Sequence, residues 1–269
     1  MHVYVISLAR SEDRRSHMSA QLDRTGMSYE IVEAVDGRTL DLRDANIVHP
    51  AADSSFSPGV FGCVLSHLKV YRKIIAEGLD AALVLEDDVI LPRDLHALTN
   101  AVVQNMRGAE VVLLNFHSYE VRFTKTGSIP LPSARRLTQI VDKGTPWSGA
   151  AYLITLAACE RMARTVLPVR ARADSWAHFY REQALDRVRC VVPMPVAINV
   201  NLRTTKDNFE PHSWQARLLE TVATNRLPIA YQMLAWRRQR SLRHYQTGRA
   251  EYADDLPGAD PLPVLSRIQ

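Results

Sequence analysis

The sequence predicts an α/β fold in which a sheet is flanked by helices, and three observations predict it. Short aliphatic runs at residues 3–8, 29–35, 81–91 and 111–116 have the length and composition of buried strands. Helix-period stretches separate them, most clearly at 58–78, where Val60, Val64, Leu68, Tyr71 and Ile75 form one apolar stripe. The opening strand–helix–strand order is that of a βαβ unit, which places a nucleotide at the carboxyl ends of its strands.

Taken in order, residues 3–8 are a first strand. Ser11 is placed to cap the helix that follows, with Glu12 and Asp13 favourable in its first turn and Gly26 at its stop. Residues 29–35 are a second strand, ended by the turn pair Asp36-Gly37. Arg10, Arg14 and Arg15 lie beside that edge, either as phosphate contacts or as solvated residues of the first helix. Residues 38–57 show no period and read as loop. Pro58 suits a helix start and Gly78 its end. After the run 81–91 come a helix over 92–106 and a strand over 111–116. Residues 117–144 contain Gly127, Pro130 and Pro132 and little periodicity, the pattern of a long excursion or hairpin that covers a site. A strand at 149–154 begins with small residues, where a ligand can approach the backbone. Residues 156–167 are helical, and Asp174 stands near the start of another helix. Residues 188–200 are apolar but carry Pro193 and Pro195, which predicts an edge strand. Past a polar loop at 201–211, two helices interrupted near Pro228 extend to about residue 246. The expected division is therefore a catalytic domain over 1–211 and a basic helical extension over 212–269.

Composition excludes several classes. The chain has 269 residues, 46% hydrophobic and 23% charged, which is ordinary for a globular protein with a sizeable core. A net charge of +4 argues against a nucleic-acid binder, although arginine is concentrated towards the C-terminus. Cys63, Cys159 and Cys190 are odd in number and far apart, with no disulfide framework or Cys-x-x-Cys zinc pattern. The first residues carry no basic leader, and no apolar run reaches the roughly 20 residues that span a bilayer. A cytoplasmic location is expected.

The chemistry centres on Glu86-Asp87-Asp88, which interrupts an aliphatic run. Three carboxylates buried in mid-strand would each cost several kcal/mol, so the acids are expected where the strand emerges. There they form either a platform for a hard divalent ion and a diphosphate or an acidic turn that ends an ordinary strand. His67, within the helix at 58–78, is either structural or a ligand.

Several blocks together resemble glycosyltransferase family 25, which includes lipooligosaccharide glycosyltransferases and collagen galactosyltransferases. They are Val5 to Arg15, Glu33-Ala34-Val35-Asp36-Gly37, Gly59-Val60-Phe61-Gly62-Cys63-Val64-Leu65-Ser66-His67, Leu83 to Asp88, Gly149 to Ile154, and Asp174-Ser175-Trp176. They cover roughly residues 1–200. Val60 stands where a Gly-Glu-x-Gly version of the signature has an acid, and the arginine-rich tail matches no family block. The resemblance implies a GT-A-like nucleotide-sugar-binding sheet, a UDP-sugar donor (UDP-galactose foremost), a divalent metal (Mn2+ or Mg2+), and a glycan or lipid-linked oligosaccharide acceptor.

On that basis Asp88 is the expected metal ligand, with His212 a further candidate. Leu8, Arg10, Arg14, Asp36, Ser66, His67, Glu86 and Asp87 are expected on the donor side. If the reaction inverts configuration, one carboxylate takes the acceptor proton; Asp174 is the candidate, and it reads equally as a helix cap. Trp147 and Trp176 are either sugar-stacking faces or core. Two other readings remain open: a metal-dependent nucleotidyltransferase, for which no Gly-rich triphosphate loop is present, and a non-catalytic nucleotide-sugar-binding relative. Apolar and aromatic residues from Trp214 to Trp236, interspersed with arginines, suit either packing on the catalytic domain or peripheral contact with an anionic membrane.

Overall fold

The computed structural model describes residues 1–53, 56–117, 121–124, 126–141, 143, 146–199, 202, 232, 233, 236 and 246–248. The chain runs β1 (His2–Ser7), α1 (Glu12–Asp23), β2 (Ser28–Glu33), a 3-10 turn (Gly37–Thr39), α2 (Pro58–Ala76), β3 (Ala81–Glu86) and β4 (Val89–Ile90). It continues through α3 (Leu95–Val103), β5 (Glu110–Leu113), β6 (Val121–Phe123), β7 (Ile129–Pro130), β8 (Arg136–Gln139), β9 (Ala151–Thr155), α4 (Leu156–Thr165) and α5 (Trp176–Arg181). Last come β10 (Arg187–Val192), β11 (Ala197–Ile198) and β12 (Gln246–Gly248).

Eight strands form one mixed sheet in the order β2-β1-β3-β9-β5-β10-β8-β7. β1 runs parallel to both β2 and β3, while β9 inserts antiparallel between β3 and β5. The expected α/β class, a sheet flanked by helices, is what the structure has. Strand alternation divides the core: Tyr4, Ile6 and Val84 face a cluster with α2 and α4, whereas Val3, Val5, Leu83 and Leu85 face one with α1 and α3.

Helix α2 lies close against the segment that follows β2. A Cβ on Gly62 would sit 2.6 Å from the Val35 carbonyl oxygen, so the helix can approach that backbone only with glycine there. The neighbouring hydroxyl completes the contact: Ser66 Oγ accepts from Val35 N at 2.8 Å and donates to the Gly62 carbonyl at 2.6 Å.

Two expectations are corrected and a third is sharpened. β10 is not an edge strand; it pairs with β5 on one side and β8 on the other. Its ladder ends at Val192, so Pro193 and Pro195 fall beyond it and remove no ladder donor. Of the two forms expected for residues 117–144, excursion or hairpin, the structure has the hairpin, and β7 and β8 add it to the edge of the main sheet. Ser11 occupies the N-cap position of α1, but its side chain makes no capping bond. In the C-terminal part, residues 232, 233 and 236 are helical as expected, while Gln246–Gly248 form a strand antiparallel to β6. The rest of the expected helical extension, including His212, lies outside the described residues.

Candidate functional site

The site is fixed by strand register. β1, β2 and β3 run parallel, with Ile6 opposite Glu86 and Ser7 opposite Glu33. Their carboxyl ends therefore share one edge of the sheet, where nucleotide ligands bind in open α/β folds. The antiparallel β9 begins at that same edge, with Ala151 opposite Leu85. The Glu86 amide donates to the Ala150 carbonyl at 2.8 Å, which brings Ser148-Gly149-Ala150 alongside the acids.

β3 ends at Glu86, so the acidic run does leave the strand as expected. Its second and third members are nevertheless buried, Asp87 being 6% and Asp88 8% exposed. Arg14, itself 8% exposed, makes this burial tolerable. Its guanidinium donates to Asp87 Oδ1 at 2.6 Å and to Asp88 Oδ2 at 3.4 Å. Ser7 Oγ donates to the other Asp87 oxygen at 2.6 Å. Arg14 is thus buried rather than solvated, and it holds the acidic turn. Asp88 is anchored through its backbone, whose carbonyl accepts from Asn199 N at 2.7 Å.

This arrangement tests the fit of a divalent ion. Both Asp87 oxygens already accept hydrogen bonds, which leaves that carboxylate a structural part. Asp88 supplies a hard carboxylate at the sheet edge, and Mg2+ or Mn2+ sites use one or two carboxylates together with substrate phosphates. The residues present fit that minimum with Asp88 as the protein ligand.

On the other face of the sheet, Glu86 meets α2. Its Oε1 lies 3.8 Å from His67 Nε2, and Cys63 is one helical turn before His67. His67 is 1% exposed, and its Nδ1 lies 2.7 Å from the Tyr152 hydroxyl, which donates to Tyr71 at 3.0 Å. Burial alone would lower the His67 pKa, but Cys63 and Glu86 beside the ring outweigh it and raise the value to about 9. Gly149 closes over this group: a Cβ there would come within 3.3 Å of His67 Nε2 and 3.5 Å of Glu86 Oε1.

The remaining sequence candidates are distributed around these two clusters. Leu8 directly follows β1, and its carbonyl accepts from Ser11 N at 3.0 Å. Asp36 bridges Arg10 at 2.5 Å and Arg38 at 2.6 Å; Arg38 above all holds its carboxyl well below the usual range. Ser66, expected on the donor side, is 1% exposed with its hydroxyl committed to backbone, so it positions the Val35–Asp36 segment. Asp174 precedes α5, where Ser175 rather than Asp174 takes the N-cap position. Trp176 is core, 1% exposed, with its indole donating to the Ser148 carbonyl at 3.2 Å. Trp147 is 42% exposed, with the His117 ring 4.8 Å from its own between centroids.

Ser7, Cys63, Tyr71 and Tyr152 were not singled out in the sequence as site residues. The i, i+4 spacing of Cys63 and His67 on a helix was the available signal for the thiol.

Comparison with known proteins bears on the same blocks. The model of glycosyltransferase family 25 (LPS biosynthesis protein) matches residues 1–175. The mouse inactive glycosyltransferase 25 family member 3 is 38% identical over 96 residues, 32% of this chain and 16% of that protein. Zebrafish procollagen galactosyltransferase 1 is 25% identical over 175 residues, 60% of this chain and 28% of that one. The chain thus spans less than a third of either relative. Among solved structures, mannose-1-phosphate geranyltransferase from Thermus thermophilus overlaps 71% of this chain and 72% of its own, at a TM-score of 0.33 and 13% identity.

Proposed function

The chain belongs to glycosyltransferase family 25, and from that membership and the site we propose that it transfers a sugar, galactose foremost, from a UDP-sugar to a glycan or lipid-linked oligosaccharide. The observation that carries this reading is the convergence of Ser7, Glu86–Asp88 and Gly149 on the edge where β1, β2 and β3 end.

A divalent ion held by Asp88 would supply Lewis-acid stabilisation of the charge that grows on the departing diphosphate. The chain's own residues do the rest. Arg14 and Ser7 fix the acidic turn so that Asp88 is presented without rearrangement. Arg10, half-exposed beside Asp36, is placed to meet phosphate charge. Gly149 lets the Ser148–Ala150 backbone lie close against His67 and Glu86 at the rim of the site. Trp147 offers an aromatic face to a sugar. Asp174 accepts the acceptor hydroxyl proton as general base, a role worth about 10²–10⁴-fold. A GT-A-like reading of the sheet, domain bounds of 1–211 and 212–269, and a cytoplasmic location belong to the same proposal.

The test is release of UDP from UDP-galactose and other UDP-sugars, with Mn2+ and with EDTA. Metal-dependent release supports the reading; undiminished turnover in EDTA contradicts it. The printed name of the mouse relative favours one second reading, a family member that does not catalyse transfer. Donor binding without turnover against any donor or acceptor would select it. Among the described residues no helix is long and apolar enough to cross a membrane. Met233 and Trp236 are 66% and 63% exposed, and we propose that the basic extension around them rests on anionic lipid. Flotation of the full chain with anionic vesicles at low salt, lost on truncation after Pro211, is the expected result; a full chain that stays unbound contradicts it.

A further inference from the structure

We propose that Cys63, His67 and Glu86 form a zinc site that ties α2 to the end of β3, separate from the divalent ion assigned to Asp88. One ligand atom from each of the three lies within 4.8 Å of the others. Tetrahedral zinc with bonds of about 2.0–2.3 Å sets its N, O and S ligands about 3.4–3.6 Å apart. The 3.8 Å between His67 Nε2 and Glu86 Oε1 is too long for a hydrogen bond and within a few tenths of an ångström of that edge.

The second observation is the imidazole itself. His67 is 1% exposed, and its Nε2 makes no hydrogen bond although it is aimed into the cluster. A buried nitrogen in that state is costly unless something occupies the space before it. The other ring nitrogen is engaged as in metal-bound histidines. Tyr152 gives its proton to Tyr71 and so accepts from Nδ1–H, which makes Nε2 the nitrogen that faces Cys63 and Glu86 and that offers its lone pair to a metal once any proton on it is displaced.

The donor set selects the ion. A thiolate with an imidazole and one carboxylate suits zinc, whereas Mg2+ and Mn2+ prefer oxygen. Binding exchanges the Cys63 thiol proton, and any proton on Nε2, for the cation. Cys63 is partly exposed, which provides an entry path, and three protein ligands leave a fourth position open. Gly149, whose missing Cβ would crowd both Nε2 and Oε1, borders that position.

The test does not depend on sugar transfer. The full-length protein is stripped with chelator, loaded with Co2+ as a spectroscopic substitute or with Zn2+, and dialysed. The expected result is a thiolate-to-cobalt charge-transfer band and retained zinc, both lost in Cys63→Ser and kept in Asp88→Ala. Tyr152→Phe, which removes the partner of Nδ1, should weaken zinc binding about 10–100-fold. Absence of the band in folded wild type overturns the proposal, as does a Cys63→Ser protein that folds and holds zinc as tightly. Should Cys63→Ser fail to fold, the wild-type band still decides, because it reports a thiolate bound to the metal.

Discussion

The two faces of one acidic turn have been put to different work. Towards α1, Asp87 and Asp88 meet a buried guanidinium and a serine hydroxyl, so that one positive charge is set against two carboxylates and both Asp87 oxygens are occupied. Towards α2, the adjacent Glu86 meets an imidazole and a thiol at distances that leave room for an ion. Three consecutive carboxylates of similar chemistry thus acquire separate tasks, because strand alternation and the exit from β3 point them at different helices. The α1 face is a built-in brace, and the α2 face is a receptacle.

The largest effect should come from the brace. Arg14→Ala leaves two buried carboxylates without their cation, and loss of one partner of a buried pair costs about 3–5 kcal/mol. Chemical denaturation should show it; a loss below about 1 kcal/mol would mean that the acids are solvated and the contrast between the faces is false. Next, Asp174→Asn should lower kcat by at least about 10²-fold with donor affinity kept, since an amide cannot take the proton. A drop in melting temperature with kcat unchanged would make Asp174 a structural residue at the start of α5. The smallest effect separates neighbours on α2: Ser66→Ala should cost about 1–3 kcal/mol by stranding the Val35 amide while leaving cobalt–thiolate absorption intact. Loss of the band with Ser66→Ala would show that the two residues act as one unit.

Most of the sheet was legible because burial on both faces leaves continuous aliphatic runs, as at Leu83-Val84-Leu85 and Val111-Val112-Leu113. The place of β10 was not, because Pro193 and Pro195 continue its apolar run in sequence although they lie just past its last ladder residue. The hairpin β7–β8 was half hidden for another reason: its strands are two and four residues long, too short to show a period. At the site, the acidic turn was visible as a chemical anomaly in an apolar run. Its pairing with Arg14, 73 positions away, depends on how α1 packs on the sheet, and local sequence carries no trace of that. Trp176 shows the same limit, since an aromatic residue beside a site block is equally a sugar platform or core, and only its indole bond to Ser148 decides. Cys63 fits no disulfide or Cys-x-x-Cys pattern, and its i, i+4 spacing from His67 is the local trace of their proximity.

The most direct test of the central claim, that Asp88 presents a divalent ion to a nucleotide diphosphate at this edge, is calorimetric titration of UDP into wild type and Asp88→Ala, each with and without Mn2+. The account predicts that Mn2+ tightens UDP binding to wild type at least about 10-fold, roughly 1.4 kcal/mol, and leaves Asp88→Ala unchanged. Equal UDP affinity in wild type with and without Mn2+, or an equal Mn2+ effect in Asp88→Ala, would contradict it.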